Sequence, residues 1–323
     1  MRTEMRIFAT LPVLALCAAA PVLAQDGFPV TLEHAFGETV IAAKPERIVT
    51  IGWMTQDAVI ALGETPVAIP FQGWGGDENG YVPWVVEALE ARGESLPELI
   101  NTDQAIPFEQ ILALDPDVIL APYSDLSDSD YARLAAIAPT VAYVDGPWSG
   151  SWQYVVETVG AALGQPQEAA ALVAETQDRL ESYKDTYPQI EGPTFIFGGG
   201  GIVETNTVDI YLPFDPRVQL LADLGLVPAP ALDTLSQDTF YQSVSAEQIG
   251  TLEADVYVGW FNSEQEVEAA LAHPLFARWA PIAAGRFVAL PEAFQSLALS
   301  APSPLSLPWV MDQFVPQLAE ALE

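Results

Sequence analysis

Residues 106–118 read IPFEQILALDPDV, and residues 244–256 read VSAEQIGTLEADV. Laid over one another, 244 against 106, they keep a constant offset of 138 residues. Glu109/Glu247, Gln110/Gln248, Ile111/Ile249, Leu114/Leu252, Asp117/Asp255 and Val118/Val256 are identical, six pairs within ten positions. Each stretch reads as a short helix leading into a buried apolar strand. A Leu-Gly-x-x-Pro turn also occurs in both halves, at Leu62 to Pro66 and Leu224 to Pro228. Common β–α grammar could produce such short matches, but the concentration of identities favours a structural duplication.

Outward from these stretches the chain alternates between strands and helices. Apolar runs at 47–51, 66–69, 118–121 and 140–144 predict strands. Between them, 55–62, 81–91, 108–114 and 129–136 predict helices, the first closed by Gly63. Helices over 152–163 and 167–187 follow, separated by Gly164-Gln165-Pro166, with Pro166 where a helix start tolerates proline. The second helix spans about 31 Å at ~1.5 Å per residue. Alternation resumes with strands at 194–197, 256–259 and 286–290 and helices at 218–224, 246–252, 264–272 and 306–322. The expected fold is α/β: two lobes, each a mostly parallel sheet flanked by helices, bridged by a long α-helix. The expected boundaries are 1–24 for a signal peptide, 25–165 for the N-terminal lobe, 166–188 for the bridging helix and 189–323 for the C-terminal lobe.

The chain has 323 residues, 11 Lys+Arg against 44 Asp+Glu, and a formal net charge of −33. Half of it is hydrophobic, which is too apolar for disorder despite the charge. Phosphate binding needs clustered basic side chains, so the charge argues against nucleic acid and against a polybasic membrane contact. Arg2 and Arg6, the apolar run 7–20 and Val22-Leu23-Ala24 read as a secretory signal peptide, too short to span a bilayer. A lipoprotein reading through Cys17 meets Leu16 where a small residue is wanted. No later run of 18 apolar residues suggests membrane insertion. Processing at the signal site would remove Cys17, the one cysteine, leaving no thiol for disulfides, metal sites or nucleophilic catalysis. His34 and His273, the two histidines, lack metal-ligand spacing and read as surface or capping residues.

Motifs for chemistry are scarce. There is no G-x-S-x-G elbow, H-E-x-x-H helix or phosphate loop. Gly198 to Gly201 lack the following Lys or the third glycine of a phosphate-binding motif and read as a sharp bend near a ligand or another backbone. The aromatics are more telling, because several follow predicted strands, where open α/β sheets place their ligand crevice. They are Trp53, Phe71, Trp74, Tyr123, Trp148, Trp152, Trp260, Phe261 and Phe294. Singly each reads as a packed loop anchor; together they outline a cleft walled from both lobes.

The ordered set FGETV (36–40), KPERIV (44–49), ALGETPV (61–67), Pro83-Trp84, FEQILALDPDV (108–118), IAPT (137–140), GAALG (160–164), SAEQ (245–248), GRF (285–287) and SPLSL (303–307) resembles the ferric-siderophore substrate-binding proteins of bacterial ABC importers. The resemblance covers nearly all of the chain after residue 24. It implies a two-lobed, helix-bridged, periplasmic and monomeric binding protein rather than an enzyme. Such a protein captures an iron chelate and hands it to permease subunits. No resident cofactor is implied; ferric iron enters only as part of the chelate. Relatives that bind haem or corrinoids keep those ligands open. An exported carboxylate-dependent hydrolase is the alternative of another class, although no concentrated polar constellation supports it. Chelates with free carboxylates call for basic residues in the cleft. Arg47 and Arg286 stand at strand starts and read as structural. Arg217 is placed to reach a ligand or to pair with a nearby acid, which favours a neutral or cationic hydroxamate over a citrate-like chelate. The resemblance also implies that Glu109 and Glu247, one per lobe, pair with arginines of the two permease halves. A helix macrodipole alone accounts for an acidic first turn, though not for the shared Glu-Gln-Ile.

Overall fold

The structure is a computed structural model describing residues 27–199, 201–236 and 239–323. The expected signal peptide, with Cys17, lies outside them.

A hairpin opens the described chain, β1 (Val30–His34) with β2 (Gly37–Ile41), and ties to the first sheet through Ala35 N donating to Tyr143 O at 2.8 Å. That sheet holds β3 (Ile48–Thr50), β4 (Ala68–Pro70), β5 (Glu98–Ile100), β6 (Val118–Ala121) and β7 (Thr140–Ala142), all parallel, in the order β5-β4-β3-β6-β7. Its inner strands are buried at every position, as continuous runs such as Val-Ile-Leu-Ala require when helices cover both faces. The helices are α1 (Thr55–Ala61), α2 (Pro83–Arg92), α3 (Phe108–Ala113) and α4 (Asp128–Ala135). Next come α5 (Trp152–Ala162) and the 21-residue α6 (Pro166–Thr186), which carries the chain from the first sheet to the second.

The second sheet contains β8 (Thr194–Gly199), β9 (Thr207–Tyr211), β11 (Tyr241–Ser245), β12 (Val256–Trp260) and β13 (Phe287–Leu290), in the order β11-β9-β8-β12-β13, with the two-residue β10 (Val227–Pro228) beside β8. The strands β8, β12 and β13 are parallel, whereas β9 runs antiparallel to β8 and β11 antiparallel to β9. The mostly parallel reading therefore holds at the centre and gives way to a mixed edge. Helices α7 (Pro216–Asp223), α8 (Ala246–Ile249), α9 (Glu264–Ala272), α10 (Ala280–Ala283), α11 (Ala293–Ser300) and α12 (Ser306–Ala321) complete the chain.

The last two helices join the lobes. Trp309 of α12 packs against Trp84 of α2 at 5.6 Å, and its Nε1 donates to Glu87 at 3.1 Å. Ser303, between α11 and α12, donates its hydroxyl to Asp57 of α1 at 2.6 Å. One hydrophobic cluster accordingly contains buried residues of both sheets and of α12, among them Ile48, Leu120, Phe197, Val258 and Phe314.

Both lobes fasten their central strands alike. Asp117, before β6, accepts from the backbone N–H of Glu46 at 2.8 Å and of Arg47 at 3.0 Å. Asp255, before β12, accepts from the N–H and hydroxyl of Thr194, both at 2.7 Å. Arg47 Nε donates to the carbonyls of Leu114 and Asp115, and Arg286 reaches Asp255 at 3.9 Å, so both arginines serve the scaffold. His34 is not a surface residue: it is buried in β1 and bonded to Thr39 at 2.9 Å, and burial lowers its pKa. His273 sits at the C-terminal end of α9, where its Nε2 meets Asn206 Oδ1 at 3.1 Å.

Candidate functional site

Loops leaving the C-terminal ends of the parallel strands gather at one edge, between the sheets. Gly52, after β3, has φ +85°, and a Cβ there would lie 2.0 Å from Tyr123 O. Only glycine lets this loop rest on the loop after β6. Trp53 N then donates to Tyr123 O at 3.1 Å, and Trp148 N to Ser124 O at 3.0 Å. These backbone ties assemble a cluster in which Trp148 stands 5.6 Å from both Trp53 and Tyr123, ring centre to ring centre. Met54 and Trp148 hold φ values of +56° and +54°. Such bulky residues in the left-handed region mark a segment fixed by its surroundings, a condition common at ligand sites.

The C-terminal lobe answers with a second cluster. A Cβ on Gly199 would lie 2.1 Å from Trp260 Nε1, so the glycine run lets the indole lie close over β8. Trp260 Nε1 donates to the Tyr211 hydroxyl at 3.1 Å. The Arg217 guanidinium stacks 3.7 Å from the centre of the Tyr211 ring. Asp215 caps α7 by accepting from Arg217 N at 2.9 Å, and it also accepts from Arg217 Nε at 2.8 Å and Nη2 at 2.7 Å. Arg217 Nη1 lies 3.5 Å from Ser300 Oγ. Burial alone would lower the Arg217 pKa, but the hydrogen bonds and charge of Asp215 outweigh it and the net shift is upward. The fork is permanently charged and already neutralised. Burial raises the pKa of Tyr123 and Tyr211, so their hydroxyls stay neutral.

Across the gap, Trp74 meets Trp260 edge to face at 6.3 Å. Beside them a cavity of about 410 Å³ is lined by Met54, Tyr123, Trp148 and Trp152 from one lobe and Pro216 and Gln219 from the other. Ser151, Gln153 and Asp223 also line it, so aromatic walls alternate with polar groups and one carboxylate. Arg217, next to Pro216, has its charge compensated by Asp215, an arrangement suited to a compact ligand without strong negative charge.

The structure thus brings Trp53, Trp74, Tyr123, Trp148, Trp152, Arg217 and Trp260 to the cleft region. Phe71 packs on Gly80, bracing the loop that carries Trp74. Phe261 belongs instead to the C-terminal core, 2% exposed and 6.0 Å from Phe287. Phe294 lies in the first turn of α11 against Trp309 at 5.5 Å, at the lobe junction. Tyr211, Met54, Pro216 and Gln219 were not singled out by the sequence. The available signal was an aromatic closing Thr-Val-Asp-Ile-Tyr, six residues before Arg217. Glu109 and Glu247 are both exposed in the first turns of α3 and α8. Each opens a helix that returns the chain to the start of a parallel strand, which puts it at the cleft-side edge of its sheet. Asn206 Nδ2 donates to Glu247 at 3.2 Å, and hydrogen bonds from its own backbone N–H and from Asn206 hold its pKa below the usual value.

The sequence matches the family described as periplasmic binding protein over residues 48–293. Among solved structures, Streptococcus pneumoniae PiaA in complex with ferrichrome is similar at 31% identity and TM-score 0.78, with 91% of this chain and 98% of that chain covered. A periplasmic solute binding protein from Mycobacterium smegmatis is similar at 31% identity and TM-score 0.80, covering 93% of this chain and 100% of that one. The Fe(3+)-citrate-binding protein YfmC of Bacillus subtilis is 23% identical over 223 residues, 68% of this chain but only 64% of the relative's length. Among the described residues no helix is long and apolar enough to cross a membrane.

Proposed function

This chain belongs to the periplasmic binding protein family, and from that premise we propose that it captures a ferric siderophore of neutral or cationic hydroxamate type between its lobes. It delivers the chelate, as a monomer, to the permease of an ABC importer. The observation carrying this reading is an aromatic recess that has Asp223 in its lining and whose neighbouring cation, Arg217, is held by both oxygens of Asp215. A guanidinium so neutralised still offers Nη1 to a carbonyl or hydroxamate oxygen, yet supplies little net attraction for a polyanion such as a citrate chelate. The match to a structure solved with ferrichrome supports the same class. Iron arrives inside its chelate, and the protein contributes shape, stacking and one hydrogen-bonding fork without catalysing a reaction. The setting is the periplasm, reached through the signal peptide at residues 1–24. Glu109 and Glu247 dock the loaded protein onto the two permease halves.

Tryptophan fluorescence tests the reading. Titration with ferric trihydroxamates should quench emission saturably, because Trp53, Trp148 and Trp260 lie at the cleft. Haem, cobalamin and ferric citrate should bind more weakly or not at all. Arg217→Ala should weaken all hydroxamates and, because it leaves the Asp215 carboxylate unpaired, should weaken an anionic chelate more than a neutral one. Saturable quenching by haem or cobalamin alone would refute the assignment, and equal losses for anionic and neutral chelates would make Arg217 structural.

A further inference from the structure

Building on that reading of the cleft, we propose a second subsite outside it: an aromatic shelf of Phe214, Phe240 and Tyr241 that takes an uncharged aryl arm projecting from the bound chelate. These side chains are 47%, 50% and 38% exposed and share an open depression of about 760 Å³ on the C-terminal lobe. Thr239, Gln242 and Ser243 contribute polar groups to its lining. Backbone contacts fix the two phenylalanines. The Phe240 carbonyl accepts from Leu212 N at 3.0 Å, and the Phe214 carbonyl accepts from Gln219 Nε2 at 3.2 Å.

Tyr211 makes the shelf continuous with the cleft. Phe240 stacks on Tyr211 at 6.4 Å and an interplanar angle of 24°, with Tyr241 6.1 Å from Tyr211 and 4.9 Å from Phe240. That same Tyr211 ring carries Arg217 and receives the Trp260 hydrogen bond. The dividing ridge is short: Phe214 lines the shelf while Pro216, two residues on, lines the cleft. A ligand seated in the cleft needs only to pass this turn to lay an arm on the rings. The chemistry of the shelf selects the arm. Exposed rings favour a flat aryl group by offset or edge contact. The neighbouring Asp209, bonded to Ser243 at 2.5 Å, disfavours a carboxylate there, and Arg217 is committed to Asp215.

Two ferric linear trihydroxamates of one backbone, with the terminal amine capped by acetyl in one and benzoyl in the other, test this by fluorescence titration. The wild type should bind the benzoyl form about three- to tenfold more tightly, the yield of one added aromatic contact. Phe240→Ala and Phe214→Ala should each bring that ratio towards one; Phe214 is the second variant because no stacking on Tyr211 depends on it. If neither chelate binds, the reading of the cleft itself fails. If both bind with a ratio near one in the wild type, or the preference survives in both variants, the cleft reading stands and the shelf is refuted. A ratio near one together with impaired transport in the variants would assign the rings to a protein contact, and would also overturn the subsite.

Discussion

Asp57 is 1% exposed in α1, accepts from Trp84 Nε1 at 2.7 Å and Ser303 Oγ at 2.6 Å, and has no hydrogen-bond partner at Oδ1 among the described residues. Burial raises its pKa to about 6, against the opposing pull of the hydrogen bonds from Ser303 and Trp84. The folded protein therefore holds this proton more tightly than the unfolded chain does. The favourable contribution is complete below about pH 4 and is lost as pH rises through about 6. Asp57→Asn keeps an acceptor for both donors without the charge. The stability of Asp57→Asn relative to wild type, from urea unfolding at pH 4 to 7, should rise across this window towards about 3 kcal/mol. A difference that stays flat with pH would show that Asp57 does not titrate there. Individual cleft aromatics were legible in the sequence because parallel strands present their following loops to a common edge. Phe261 turns into the core because successive strand residues face opposite ways, so Trp260 at the cleft leaves its neighbour inside. Tyr211 carries no such signal, because it ends an antiparallel strand that mixes polar and apolar residues.

The duplicated segment has a physical role at the scale of elements. Asp117 and Asp255 stand at equivalent positions, and each grips the start of the neighbouring central strand: Asp117 the two residues before β3, Asp255 the first residue of β8. The reciprocal backbone bonds match as well, Asp117 N to Arg47 O at 3.0 Å and Asp255 N to Thr194 O at 2.9 Å. Shared geometry of this kind explains why the aspartate is common to both halves. Asp255→Ala should lower unfolding stability by about 1 kcal/mol, Asp117→Ala should act in the same direction, and chelate affinity should be unchanged in both, since these residues lie at the ends of the strands away from the cleft. Unchanged urea midpoints would leave the aspartates without a structural role. The central strands were readable from apolar runs, and α6 from its length and good helix formers. The β1–β2 hairpin, β9 and β11 were not, because Thr-Val-Asp-Ile-Tyr and Tyr-Gln-Ser-Val-Ser mix polar and apolar residues in the antiparallel part of the sheet. Helix α11 was hidden because its capping box uses Glu292 with Gln295, where Ser or Thr is the usual opening residue.

Across the whole molecule, the internal match puts one exposed glutamate in each lobe, Glu109 and Glu247, in the first turns of α3 and α8, and Asn206 steadies the second. In the proposed docking, such a pair gives one contact to each half of the permease. Glu109→Ala combined with Glu247→Ala should preserve chelate affinity by fluorescence while cutting uptake in cells by about tenfold or more. Uptake at the wild-type rate would remove the docking role. The two-lobed plan was legible from the internal match and the long helix. The junction was not, because it is made by residues distant in sequence: Asp57 and Ser303 lie 246 positions apart. The order in which the chain is made therefore matters. A polypeptide emerging N-terminus first carries an unfinished first lobe until residues 303–309 emerge, with the Asp57 carboxyl and the indole of Trp84 lacking the partners supplied by Ser303 and Trp309. Those partners lie in α12 and the turn before it, so the first lobe is completed only after the second has been synthesised.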